Sequence, residues 1–317
     1  MKLTTLHAAL AACLAIAASG CSAKSEGSAS GPAPASTNGA ASTATVPGFS
    51  FSTGPFEIQP GDTFECFYTD TITDRQLNVQ TAIGQQGPGG HHLTVYYADQ
   101  KAPVGHHPCN DVEMLGLHQI AGAAGGKEGI IALPDGYATK IPAGKQLVVQ
   151  AHYVRTEPGP ATVEDKVTLT TVDDANVKAF ANSFVMVDFD FKLAARAAGA
   201  STTECVVPKD LDVLLLLGHM HEWGAHYKLE KVDEKGKSLE TLYETEWEPL
   251  FMSHPPVTSY APDKPLKLTK GTRLRQSCSW KNTEDHDMAF PREMCVMFSY
   301  YIPDDGFLQC ETKAVKE

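Results

Sequence analysis

Among twelve histidines, His219 and His221 lie one residue apart in Gly218-His219-Met220-His221-Glu222-Trp223-Gly224, at the end of the apolar run 211–217. That run reads as a strand, and alternation puts both imidazoles on one face with Met220 on the other, so the pair can share a metal ion. His91 and His92 follow the turn Gln86-Gly87-Pro88-Gly89-Gly90 and open Leu93-Thr94-Val95-Tyr96-Tyr97. Adjacent side chains on a strand diverge, so these two can meet one ion only at a strand end or a bulge, which the glycines permit. His152 interrupts the apolar run 147–153 and could complete an all-nitrogen site with His91 and His92. Any one of these alone reads equally well as a hydrogen-bonded structural histidine. In Glu293-Met294-Cys295-Val296-Met297-Phe298, alternation turns Met294 and Cys295 opposite ways, freeing Met294 to face a cleft. A thioether binds zinc, calcium and magnesium poorly and Cu(I) well, so Met294 beside His219 and His221 points to copper.

These residues need a rigid frame, and the pattern around them is that of strands. In the first half, candidates fall at 49–58, 63–68, 77–82, 93–98, 146–154 and 167–172, separated by turn clusters such as Pro142-Ala143-Gly144. After the polar break Asp173-Asp174-Ala175-Asn176, alternation restarts at 184–191 and continues at 213–221, 225–232, 239–246, 272–280 and 293–302. Residues 193–200 alone favour a helix, a short one. The predicted fold is all-β, with two antiparallel β-sandwich, jelly-roll-like domains in tandem spanning 49–176 and 177–317.

Residues 1–20 read as a signal peptide, with Lys2 ahead of an Ala/Leu-rich stretch. Ser19-Gly20-Cys21 resembles a bacterial lipoprotein cleavage site, with Cys21 as the lipidated residue and Ala18 where leucine is more usual. Residues 21–48 are rich in Ser, Gly, Ala, Thr and Pro and read as a flexible tether. The expected location is the bacterial cell envelope, lipid-anchored at the outer membrane on its periplasmic or surface side. A net charge of −12 argues against nucleic acid. Setting aside Cys13 and Cys21, six cysteines remain, Cys66, Cys109, Cys205, Cys278, Cys295 and Cys310. Outside the cytoplasm they suggest three disulfides, for which counting alone allows fifteen connectivities.

The order His91-His92, His152 after Gln150, His219-x-His221 and Glu293-Met294-Cys295 resembles the copper type II, ascorbate-dependent monooxygenases. Peptidylglycine α-hydroxylating monooxygenase and dopamine β-monooxygenase are familiar members, and the resemblance covers roughly residues 56–310. It implies two mononuclear coppers on either side of a water-filled cleft. His91, His92 and His152 would hold an electron-transfer copper. His219, His221 and Met294 would be the catalytic ligands of a second, where oxygen binds and a C–H bond is hydroxylated. The co-substrates would be oxygen and ascorbate or another one-electron donor. The implied disulfides are Cys66–Cys109, Cys205–Cys310 and Cys278–Cys295. Gln150 is a candidate to orient an imidazole.

Two departures bear on the substrate. The amidating members carry an arginine where this chain has Leu217, and an asparagine and a tyrosine where it has Val296 and Phe298. A carboxylate buried there would go unpaired, so peptidylglycine is not expected as substrate. Leu217, Val296, Phe298 and Trp223 would instead line a pocket for a small or apolar molecule. The alternative function is a non-catalytic copper-binding lipoprotein that buffers or delivers the metal. His106, His107 and His118 suggest an accessory metal site or, more simply, a solvated loop. His226, His254 and His286 read as surface or structural, and Glu293 as supporting the site or facing solvent. The expected oligomeric state is a monomer, touching the membrane only through its lipid.

Overall fold

Alternating apolar residues need a second apolar face to bury against, and here they find it twice. The computed structural model describes residues 48–114, 116–125, 129–252, 254–290 and 292–315. The signal peptide, Cys21 and nearly all of the tether lie outside them.

The first five-stranded sheet runs in the order Gly105–Pro108, Gly61–Ile72, Gln146–Arg155, Gly90–Ala98, Leu117–Ala124, and every pairing is antiparallel. Its central strand, Gln146–Arg155, is buried along its whole length, as its continuous apolar run requires. Opposite lie Ser50–Ser52, Lys166–Thr171, Leu77–Gln85, Tyr137–Ile141 and Ala179–Phe180, with Gly129–Ala132 also paired to Leu77–Gln85. Leu93, Val95, Leu147 and Val149 of one sheet meet Val79, Ala82, Val167 and Leu169 of the other in a single buried cluster.

The second sandwich repeats the scheme with Leu211–His219, Val296–Ile302 and Asn182–Val187 adjacent in one sheet. Gly224–Val232, Arg273–Lys281 and Ala198–Val206 are adjacent in the other. Phe184, Met186, Leu216, Tyr227, Trp280 and Met297 fill the space between. The fold is all-β, two antiparallel sandwiches in tandem. Among the described residues, strand pairing changes sandwich between Phe180 and Asn182, a few residues beyond the predicted boundary at 176. A third cluster, with Leu133 from the first half and Leu214, Leu215 and Tyr300 from the second, joins the sandwiches into one compact unit.

The helix-friendly stretch 193–200 is not a helix. It ends the strand Lys192–Leu193, turns through Arg196 at φ 52° and enters Ala198–Val206. Ladder pairing with Arg273–Lys281 outweighs a local preference worth only tenths of a kcal/mol per residue. The disulfides are Cys66–Cys109, Cys205–Cys310 and Cys278–Cys295, the three the resemblance implies.

Candidate metal centre

Register brings the histidines together. In the pairing of Gln146–Arg155 with Gly90–Ala98, His152 faces His92 and Tyr153 faces Gly90, so His91 is the extra residue of a β-bulge. The bulge lets neighbouring side chains converge where a regular strand would part them. Ring centroids are 4.4 Å apart for His91 and His152, and 4.8 Å for both His91–His92 and His92–His152.

In the other sandwich, His219 lies opposite Val296 at the ends of two paired strands. His221 falls beyond its strand and Met294 before its own, a correction to strands predicted at 213–221 and 293–302. The physical reason is Glu293. Its carboxylate, fully buried, accepts the backbone N–H of His221 at 2.6 Å, of Met294 at 2.7 Å and of Trp223 at 3.2 Å. These groups are thus satisfied by a side chain rather than by a ladder. Glu293 therefore does not face solvent; it ties the His-x-His turn to the methionine segment. The turn is also held by Trp247, whose indole N–H donates to the His221 carbonyl at 2.8 Å. His219 and His221 still converge, with ring centroids 5.3 Å apart, but through a turn rather than along one strand face.

The expectation of two sets of ligands across a water-filled cleft does not hold in this structure. His91 stands 4.7 Å from His221 and 5.0 Å from His219, against 4.4 Å and 4.8 Å to His152 and His92 of its own set. His152–His221 is 5.6 Å and His92–His219 is 6.1 Å. The apolar junction of Leu214, Leu215 and Tyr300 with Leu133 holds the sandwiches together. His91 belongs to two triplets whose candidate ligand atoms lie within 4.8 Å of one another, one with His92 and His152 and one with His219 and His221.

Each ring's free nitrogen follows from what its other nitrogen does. His152 Nε2 bonds Asp62 Oδ1 at 2.6 Å, His221 Nδ1 donates to the Arg292 carbonyl at 2.9 Å, and the Nδ1 atoms of His91 and His92 share a 2.7 Å bond. His91 Nε2, His152 Nδ1, His219 Nε2 and His221 Nε2 are buried with no protein hydrogen-bond partner. Four orphaned, buried imidazole nitrogens fit a metal that prefers nitrogen. Phe64 stacks on His152 at 3.8 Å and fixes the plane of that ring.

Met294 lines a cavity of about 390 Å³ together with His92 and His219. Leu217, Val296 and Phe298 line it too, whereas Trp223 is in the core of the second sandwich. Gln150 does not orient an imidazole. Its amide approaches the Met114 sulfur at 3.4 Å and the Tyr96 hydroxyl at 3.5 Å, on the same strand face as His152 but opposite Cys66 of the disulfide. Asp62 does the orienting, and sequence reading missed it. Its signal was the alternation Asp62, Phe64, Cys66, which puts carboxylate, aromatic and disulfide on one face. His106, His107 and His118 form no joint cluster: His106 stacks on Phe67 at 4.9 Å, His107 pairs with Glu113 at 2.9 Å and His118 with Asp99 at 2.8 Å. His226 bonds Glu244 at 3.2 Å and His286 bonds Asp285 at 3.2 Å.

Burial keeps all five imidazoles neutral at pH 7, the protonation state that binds metal. It pushes His92 down to about 4 and His221 to about 3, and lowers His91, His152 and His219 well below the ordinary value, helped by their imidazole neighbours. Burial raises Asp62 to about 6, against the pull of Arg292, and Glu293 to about 7, against the three N–H bonds.

The sign for metal-free protein follows. Unfolded histidines take up protons below about pH 6.5 while the folded ones do not, so stability present above that pH is lost as pH falls. The two carboxyls act oppositely, protonating first in the folded state, but five rings outnumber them. Urea midpoints of metal-free protein should drop between about pH 7 and pH 5.5, by an amount on the order of 2 kcal/mol in unfolding free energy. A midpoint that rose on acidification would contradict neutral burial of the rings.

No family model matches the sequence, and no curated protein does. Among solved structures, the chain aligns with the triple jelly roll of an archaeal virus at 8% identity and a TM-score of 0.23, over 80% of this chain and 60% of that one. A Sulfolobus Turreted Icosahedral Virus structure aligns at 9% identity and a TM-score of 0.23, over 81% and 56%. The infectious bursal disease virus VP2 particle gives 10% identity and a TM-score of 0.21, over 82% and 73%. The chain thus spans less than two thirds of the first two, and likeness this faint carries no functional argument.

Proposed function

We propose that this protein is a copper-dependent monooxygenase of the ascorbate-dependent type, acting on a C–H bond of a small or apolar molecule. The observation that carries the reading is four orphaned, buried imidazole nitrogens beside a cavity that also receives Met294. His91, His92 and His152 would hold one copper, and His219, His221 and Met294 the other, with His91 within reach of both. Copper would supply one-electron chemistry and a place for oxygen to bind. The overall balance, R–H + O2 + 2e− + 2H+ giving R–OH + H2O, needs an external donor such as ascorbate.

This chain's own residues supply the rest. Asp62 and the Arg292 carbonyl select the ring nitrogens that would face a metal, while Glu293 ties the segments of the second sandwich that carry His221 and Met294. Burial removes water that would compete for the ligands. As an envelope lipoprotein anchored through Cys21, the enzyme would meet oxygen and donor outside the cytoplasm.

Elemental analysis of disulfide-intact protein, followed by oxygen uptake with ascorbate and apolar compounds, tests the proposal. The expected result is bound copper and uptake that rises with substrate, lost in Met294→Ala while copper remains on the histidines. Copper without substrate-dependent uptake would point instead to a carrier or buffer. Absence of copper under reducing conditions would reject both.

A further inference from the structure

The cavity beside Met294 has a property the metal reading does not require: among the described residues, none of its lining side chains is Asp, Glu, Lys or Arg. Burial pushes the Tyr96 phenol up to about 12. The walls come from both sandwiches, with Ile131 and Leu93 on one side and Val187, Leu217, Val296 and Phe298 on the other. At the mouth, Phe189 and Phe307 are about half exposed, and Phe290 meets Phe189 edge-on at 4.8 Å. Exposed aromatic rings around an opening are unfavourably hydrated, a cost that an apolar ligand covering them would relieve.

We infer that this cavity selects an uncharged molecule of two fused or linked rings with one neutral polar group, and rejects carboxylates and amines of the same shape. The size follows from volume. A cavity of about 150 Å³ accommodates benzene, and this one measures 390 Å³. The rejection follows from desolvation: in the metal-free protein an ion entering here sheds its water and meets no countercharge. The polar group has partners in the amides of Gln119 and Gln309, which lie in the lining. The inference deepens the monooxygenase reading by naming its substrate class, but binding itself does not depend on the metal.

The test is calorimetric binding of 2-acetylnaphthalene, 2-naphthoate and 2-naphthylmethylamine to the full chain, before and after copper loading. In the metal-free protein the neutral ketone should bind at least about 100-fold more tightly than either ion, as a buried unpaired group demands. Val187→Trp, which fills the space from a half-buried strand position, should weaken the ketone at least about tenfold. Gln309→Arg, at an exposed lining position where folding is not at stake, should improve 2-naphthoate about tenfold.

Equal affinity for ketone and ions in the wild type would overturn the inference, as would a Gln309→Arg variant with unchanged naphthoate binding. A folded Val187→Trp variant that binds the ketone normally would overturn it too. Copper content and oxygen uptake on the same samples separate the two readings. Selective ketone binding without copper keeps the cavity and rejects the oxygenase, whereas copper with charge-indifferent binding does the reverse.

Discussion

His91→Ala is expected to empty the proposed copper centre as a whole, whereas His92→Ala should leave His219, His221 and Met294 able to hold copper. The reason is position. His91 sits at the bulge, fully buried, and is the one imidazole common to both triplets. Its loss removes a ligand from one set, a close neighbour from the other, and the partner of His92 Nδ1. Copper per chain, measured by elemental analysis after dialysis against a weak chelator, should fall by more than half in His91→Ala. In His92→Ala it should fall by about half, since each set would hold its own ion. Loss of a single equivalent in both variants would mean that the two sets act independently, as separated sites would. Circular dichroism on both variants distinguishes metal loss from unfolding.

The second large effect concerns the frame. Removing the Cys205–Cys310 bond, whose partners lie 105 residues apart, frees a long loop in the unfolded chain. The double variant Cys205→Ala, Cys310→Ala is expected to lose about 4–5 kcal/mol of stability on the chain-entropy model. The bond with separation 43 should contribute about 4 kcal/mol and that with separation 17 about 3 kcal/mol. Against a total near 5–15 kcal/mol, the first loss is enough to unfold a marginal protein. Urea denaturation of the three double variants should give this order. The Cys278–Cys295 pair is the informative exception. Cys295 adjoins Met294 and its carbonyl accepts the Gln276 amide at 3.0 Å, so its variant should disturb the metal centre more than its loop length implies.

Much of the frame was legible beforehand because strand patterning is local. The apolar run that became Leu211–His219 and the buried run that became Gln146–Arg155 were visible as periodicity, and their ends moved by two residues or fewer. Ends shifted where a side chain replaced a ladder: Glu293 draws backbone N–H groups from three residues and so stops both strands near the site. The short strands Gly129–Ala132 and Tyr137–Ile141 were not singled out, because each is too brief to carry a pattern and exists through pairing with Leu77–Gln85. Gln150 was misassigned and Asp62 overlooked for one reason. Which polar side chain meets His152 depends on the neighbouring strand, and strand adjacency is a long-range property.

By itself the sequence determined the residue types able to hold a soft, nitrogen-preferring metal, the all-β frame, and the absence of charge at positions 217, 296 and 298. These are local facts, written in side-chain chemistry and in the period of two. The tertiary structure alone decided that His91 stands within 5.0 Å of His219 and His221 as well as of His152, and that one buried carboxylate holds together the segments that carry His221 and Met294. It also decided that the walls of an uncharged cavity come from both sandwiches. Distances between residues a hundred positions apart are set by sheet register and by the apolar junction of the two halves, and no local pattern encodes either.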